Sequence, residues 1–267
     1  MAPQLDSLPP EILFNILSFT EPTCNPALVS YPLNALAETS KHLNTIVEEY
    51  ARSLLKQHAN ITPPKNSRVF TCRRKWLGEI CQFCKKPSKR RAILYGTLTC
   101  CRTCDKAQFP KMTMTKATQD HALSKLDLFT PNALHPHLAP LSIGNYTVMG
   151  GTATMILAAD VVARRDHIYA VLGNTRALDA AYMRKRVAAH QRMIQHMGIV
   201  WDCEDAAWRE AYEPRVKEMV TVKQKGPKSM RSEDSRREYV KMALTKEWDD
   251  MGVREGGGTK DTAIEID

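Results

Sequence analysis

No run of about eighteen apolar residues occurs in this 267-residue chain, so the sequence predicts no membrane-spanning helix. The opening stretch, MAPQLDSLPPEILFNILSFTE, lacks the basic n-region of a secretory signal, and Asn15 and Ser18 interrupt its short apolar core. The expectation is an intracellular protein, nuclear or cytoplasmic, whose eight cysteines are mostly reduced. Catalytic signatures are missing too: there is no Gly-x-Ser-x-Gly, no Walker-type glycine loop and no His-Glu-x-x-His. The glycines of GNYTVMGG are wrongly spaced for holding phosphate, and no internal repeat is found, so a non-enzymatic protein is expected.

What is present is ordinary in bulk. Hydrophobic residues make up 43% and charged residues 25%, enough for a real core divided among two or three small units. The net charge of +9 and pI near 9.1 favour a polyanionic partner, either nucleic acid or an acidic protein face.

Pro9 and Pro10 open a short amphipathic helix, PPEILFNILSF, with Ile12, Leu13, Ile16, Leu17 and Phe19 at helical spacing. After a turn-rich connector, TEPTCNPALVSYP, a second helix is predicted from about Leu33 to Leu54, and NITPPKNSR reads as a linker. FPKMTMTKATQDHALSKLDLF starts extended and turns helical near Thr115 or Lys116. YTVMGGTATMIL reads as strand, glycine turn and strand. A helix from Ala159 stops at Gly173, and a long one follows from about Thr175 to Met197 with Leu178, Tyr182, Ala189, Met193 and Met197 inward. Its other face carries Arg184, Lys185, Arg186, His190 and Arg192. The remainder reads as mixed-charge helix around a KQKGPKSMR break, ending in a disordered tail, REGGGTKDTAIEID.

The strongest chemistry lies in CQFCKKPSKRRAILYGTLTCCRTC, where Cys81, Cys84, Cys101 and Cys104 form C-x2-C-x16-C-x2-C. That spacing suits a structural zinc site: two knuckles meet across a hairpin, and four thiolates leave no open position for hydrolysis. One zinc per chain is expected. Cys100 could replace Cys101, but the resulting C-x3-C knuckle is less usual, so Cys101 is preferred. Cys24, Cys72 and Cys203 read as small apolar residues, and His135 and His137 are not needed to complete the set. Lys85, Lys86, Lys89, Arg90 and Arg91 lie inside the cysteine loop, where they are placed to meet an acidic partner.

The first sixty residues resemble an F-box. Leu8, Pro9, Glu11, Ile12, Leu13, Ile16 and Leu17 match its opening, and LAETSKHLNTIV, with Leu36, Ser40, Lys41 and Leu43, its later helix. The resemblance implies a three-helix hook docking on the linker subunit of a Skp–cullin–F-box ubiquitin ligase through Leu8, Pro9, Ile12, Leu13, Ile16 and Leu17. An apolar stripe on so short a helix agrees with a helix-in-groove interface.

Residues 79 to 195 resemble, in the same order, the zinc and minimal DNA-binding region of the xeroderma pigmentosum group A repair family. The likeness runs through the four cysteines, the Thr115–Lys116–Ala117 helix start, GTATMILAADVVARRDHIYAVLG and the basic helix LGNTRALDAAYMRKRVAAHQRM. It implies DNA-phosphate contacts at Lys111, Lys116, Arg164, Arg165, Arg176, Arg184, Lys185 and Arg186. The hairpin itself carries no lysine or arginine.

Together these readings predict a mainly α chain with a small β component. Its expected parts are an F-box-like domain (1–60), a linker (61–78), a four-cysteine zinc ribbon-like element (79–110), a small α+β repair-like module with a long basic helix (111–198), charged helices (199–253) and the tail (254–267). The expected role is a ubiquitin-ligase adaptor that joins the linker subunit and cullin scaffold to a protein substrate of unknown identity. The alternative is a DNA-binding repair scaffold.

Overall fold

The computed structural model describes residues 5–23, 25–64, 71–148, 151–203, 205–211 and 227–252, which fall into two compact units, Met1–Lys111 and Met112–Asp267. The architecture is mainly α with a small β component: eleven α-helices among the described residues, with one three-stranded and one two-stranded sheet. None of the described helices is long and apolar enough to cross a membrane. The expected tail and the first four residues of the KQKGPKSMR break lie outside the described residues.

In the first unit, Pro10 opens α1 (Pro10–Ser18), where a missing N–H costs nothing, and Leu13 and Leu17 face inward one turn apart. The single helix expected from about Leu33 to Leu54 is two helices, α2 (Pro32–Thr39) and α3 (Lys41–Ala59). Ser40 breaks it, because its backbone is extended and its hydroxyl accepts the Leu43 N–H at 3.1 Å, a side-chain cap that starts a new helix. α3 then buries Leu43, Ile46, Val47, Tyr50, Ala51 and Leu55.

The expected linker at 61–78 contains α4 (Cys72–Glu79). Its own flanking residue supplies no side-chain cap; instead the Glu48 carboxylate on α3 accepts the N–H groups of Cys72 at 2.7 Å and Arg73 at 3.3 Å. Cys72, Trp76 and Leu77 thereby join the core of the first three helices. α3 ends at Ala59 on a left-handed Asn60, ahead of the double proline expected to stop it, and the apolar face of α4 brings the chain back into the core. The cysteine-rich segment follows and ends in α5 (Arg102–Gln108).

The second unit takes over at β1 (Lys111–Thr113). Thr113 caps α6 (Met114–His121) by accepting the Lys116 N–H at 3.2 Å, and the one-turn α7 (Lys125–Leu128) carries a Ser124–Asp127 capping box. β2 (Ile143–Val148) and β3 (Gly151–Leu157) pair antiparallel, Ile143 opposite Ile156, and the sheet order is β1–β3–β2. The turn expected between them falls partly on Met149 and Gly150, outside the described residues.

α8 (Ala158–Leu172) stops at Gly173, whose φ of 76° suits glycine. The long helix expected from Thr175 is split into α9 (Asn174–Ala177) and α10 (Ala180–Met197), since Asp179 accepts the N–H groups of Ala181 and Tyr182. Leu178, expected inward, sits at this break and is 79% exposed.

The chain after α10, expected to be helical, instead forms β4 (Ile199–Asp202) paired with β5 (Ala207–Glu210). Trp201 and Trp208 are cross-strand partners around Phe129: one ring stacks on it at 4.3 Å and the other meets it edge-on at 6.4 Å. α11 (Glu233–Asp250) is helical as its charge pattern predicts.

The core of this unit encloses an ionic cluster. Asp127, fully buried, accepts a two-pronged bond from Arg186 at 2.8 and 2.9 Å, the Ser124 N–H and hydroxyl at 2.8 Å each, and His135 Nε2 at 3.1 Å. Arg186 Nε also donates to Glu247 of α11, and His190 lies between Ser124 Oγ (2.7 Å) and Glu247 Oε1 (3.3 Å). Arg164 donates to the carbonyls of Asp127 and Ala139 and to Thr130 Oγ1. Arg186 thus meets both carboxylates, the pairing that buried charge requires, while the partners of Arg164 are neutral oxygens.

Burial alone would raise the Asp127 carboxyl, but Arg186, His135 and His190 outweigh it and hold it well below the ordinary range. Glu247 is lowered in the same way, with contacts from His190 and Arg186 outweighing burial. Folded-state values below the unfolded ones give stability that is complete above the unfolded values and is lost as pH falls through the folded ones. The thermal midpoint of the protein should therefore hold steady from pH 7 to about 5 and drop on further acidification. Arg186→Met should cost about 3–5 kcal/mol at neutral pH and weaken or reverse that acid loss; an unchanged pH profile would contradict the role given to this cluster.

Candidate metal centre

The first cysteine knuckle is a tight turn. Lys85 adopts a left-handed conformation (φ 58°), its N–H reaches back to the Cys81 carbonyl at 2.9 Å, and the Cys81 N–H reaches the Lys86 carbonyl at 2.8 Å. The chain then runs out and returns as the expected hairpin, with Arg91 opposite Thr99 and the N–H groups of Ala92 and Cys100 donating to Leu98 and Arg90 at 2.9 Å. This return sets Cys101 and Cys104 at the first turn of α5.

The sulfurs of Cys81, Cys84, Cys101 and Cys104 all lie within 4.8 Å of one another, and those of Cys84 and Cys101 are 3.8 Å apart. A tetrahedral ion bound at about 2.3 Å from each sulfur needs sulfur separations of about 3.8 Å. Backbone N–H groups already point at the sulfurs: Cys101 to Cys81 at 3.3 Å, and Cys104 to Cys101 at 3.5 Å. Burial pushes the Cys81 thiol up, yet the N–H groups of Cys101, Cys84 and Phe83 more than offset this and bring it down to about 6. Burial pushes Cys84 and Cys104 up, and adjacent sulfurs add to this. One sulfur that ionises readily beside others that resist is a conflict a bound cation removes. The donors can hold a metal ion, and four thiolates leave no position open.

Cys100 is fully buried, its thiol points to the Cys101 carbonyl at 3.5 Å, and burial pushes it up to about 12. The geometry therefore selects Cys101 as the ligand.

The surroundings tie this centre to the helices of its own unit. Gln82 Nε2 donates to the carbonyls of Trp76 and Ile80 at 2.9 and 2.8 Å, Ser88 N–H to that of Glu79 at 2.8 Å, and the Thr99 hydroxyl to that of Leu77. The last carbonyls of α4 are thus satisfied by the cysteine loop. Tyr31 donates its hydroxyl to the Thr97 carbonyl and accepts the Thr99 N–H at 3.3 Å, while the Thr97 hydroxyl reaches the Leu28 carbonyl at 3.1 Å. The expected boundaries at 60 and 78 accordingly fall inside one compact unit.

The other candidate residues fare unevenly. Ile12 and Ile16 are 48% and 37% exposed, Pro9 is exposed at the start of α1, and Leu8 is partly buried. Leu13 and Leu17, expected at an interface, are instead core residues, because they hold α1 against its own unit. Phe19, 76% exposed, extends the outer stripe.

Among the expected phosphate contacts, Arg164 and Arg186 are buried in the ionic cluster, and Lys111 is occupied by Asp105 and by the carbonyls of Asp105 and Phe109. Buried charge needs these partners, so none of the three is free for phosphate. Arg176 pairs with Asp250 at 3.1 Å, Arg165 with Asp166 at 2.7 Å and Lys116 with Asp120 at 3.9 Å, while Arg184 and Lys185 are exposed. The inward side of α10 could have been read from Met183, Arg186, His190 and Met193, which share one helical stripe.

No protein-family model matches this chain, and no curated protein or solved structure matches it.

Metal analysis of purified protein should find about one ion per chain, kept by Cys100→Ser and lost by Cys101→Ser. Retention by Cys101→Ser with loss in Cys100→Ser would overturn the ligand assignment.

Proposed function

We propose that this chain is an F-box-type adaptor. The outer stripe of α1 docks on the linker subunit of a Skp–cullin–F-box ubiquitin ligase, and the four-cysteine module, stapled by a structural zinc, takes part in holding a protein target. The observation that carries this reading is the two-sided character of α1: Leu13 and Leu17 seat the helix, while Ile12, Ile16 and Phe19 remain 48%, 37% and 76% exposed. Covering such a stripe is worth about 25 cal/mol per Å² of apolar surface, which favours a helix-in-groove partner. Zinc is the metal of choice because it accepts four thiolates in a closed tetrahedron without redox chemistry.

The adaptor forms no bond itself. It acts by proximity, raising the effective concentration of target lysines beside a charged ubiquitin-conjugating enzyme. The alternative, a DNA-binding repair scaffold, is weakened by the buried positions of Arg164 and Arg186 and by the occupied Lys111.

Co-purification with the ligase linker subunit tests the proposal. The double change Ile12→Asp with Ile16→Asp should reduce capture at least about tenfold. Because both side chains are surface residues, the melting midpoint should stay nearly constant. Undiminished capture by the folded double variant would sink the adaptor reading.

A further inference from the structure

The charge of this chain is concentrated in one place. Residues 71–111 hold eleven lysines and arginines against two carboxylates, Glu79 and Asp105, so this window alone accounts for the whole net charge of +9. Four thiolates on a divalent ion subtract only about two charges from it.

Much of that positive charge is used internally. Asp105, 2% exposed, takes Arg90 at 2.9 Å and Lys111 at 3.0 Å; Arg73 lies 3.7 Å from Glu48; and Lys85 is held by the Gln82 carbonyl, Glu21 and the Trp76 ring. Arg74, Lys86, Lys89, Arg102 and Lys106 are exposed and make no ion pair among the described residues. Arg102 and Lys106 stand one turn apart on α5 and line an open groove with Thr103 and Ala107.

The window also shows how it receives a carboxylate. Glu79 takes a direct bond from Lys75, one turn earlier on α4. Features that would select nucleic acid are missing. Among the described residues 71–111 no large apolar or aromatic side chain is exposed, and Phe83, Tyr95 and Phe109 pack on one another, leaving no platform for stacked bases. α5 is seven residues long, with its first turn bound up with the cysteines, and so is poorly suited to entering a groove.

We propose that the exposed cations of the four-cysteine module form a docking surface for an acidic peptide segment, rich in Asp and Glu, of a partner protein. Naming that partner a ubiquitylation target rests on the adaptor reading; the surface itself does not. Recognition is by charge, so it is quick to form and sensitive to salt.

The test uses the full chain with its metal, a fluorescein-labelled peptide of about fourteen alternating Glu and Ser residues, and single- and double-stranded DNA of matched charge. The peptide should bind at low salt and weaken steeply as salt rises. The double reversals Lys86→Glu with Lys89→Glu, and Arg102→Glu with Lys106→Glu, should each weaken it about tenfold or more. Arg184→Glu with Lys185→Glu, an equal change of net charge on α10, should alter it less than about twofold. Metal content and melting are measured for every variant, and the Gln versions replace any reversal that loses metal. Absence of peptide binding, equal weakening by the α10 control, or DNA binding markedly tighter than the peptide would each overturn the inference. Loss of peptide binding with linker-subunit capture intact counts against the acidic partner alone; loss of capture with peptide binding intact counts against the adaptor reading alone.

Discussion

Four cysteine sulfurs drawn within 4.8 Å of one another are the constraint on which the first unit depends. Sulfurs so close cannot all ionise without a cation between them, and the hairpin that joins the two knuckles buries Ala92, Leu94 and Leu98 beside them. The hairpin also makes hydrogen bonds to its neighbours. It satisfies the final carbonyls of α4, and through Thr97 and Thr99 it holds Tyr31 and Leu28 of the connector between α1 and α2. Glu48 closes the other end of α4. A helix capped at one end by α3 and at the other by the cysteine loop joins the three-helix region and the metal centre into one body.

The second unit is organised by a different rule. Its core surrounds Asp127, Arg186, Arg164, His190 and Glu247, and these polar groups link α7, α8, α10 and α11. Such a cluster contributes less through net stability than through what it forbids, since removing Arg186 leaves the Asp127 and Glu247 carboxylates buried without their shared guanidinium. It also explains why the basic character of α8 and α10 is a poor guide to their surfaces.

Much of this was legible in the sequence. The Cys-x-x-Cys spacing, the proline-led α1, the glycine stop of α8 and the β2–β3 hairpin follow from local chemistry that burial does not override. What stayed hidden depended on partners far along the chain. Arg164 and Arg186 look like solvated charges until Asp127 and Glu247 are placed beside them. α4 looked like linker because its cap comes from Glu48, twenty-four residues earlier. β4 and β5 were masked by acidic neighbours, although Trp201 and Trp208 carry the apolar pair that binds them to Phe129. Ser40 and Asp179 were readable as caps, but each interrupts a periodic apolar pattern that would otherwise run on.

The two units use charge differently. The first leaves part of its cations exposed and its carboxylates few, and it leaves one apolar stripe on α1 uncovered; the second turns Arg164 and Arg186 inward. The proposed adaptor, docking on a ligase by an apolar helix and on an acidic partner by a basic surface, fits that division. Its central claim is that metal binding and the three-helix region are one cooperative body. Hydrogen exchange with and without a metal chelator tests this most directly. The account predicts that metal removal exposes amides not only in 80–105 but also in α4, the connector near Tyr31 and the C-terminal half of α3. Loss of protection confined to 80–105, with α3 and α4 unchanged, would contradict it.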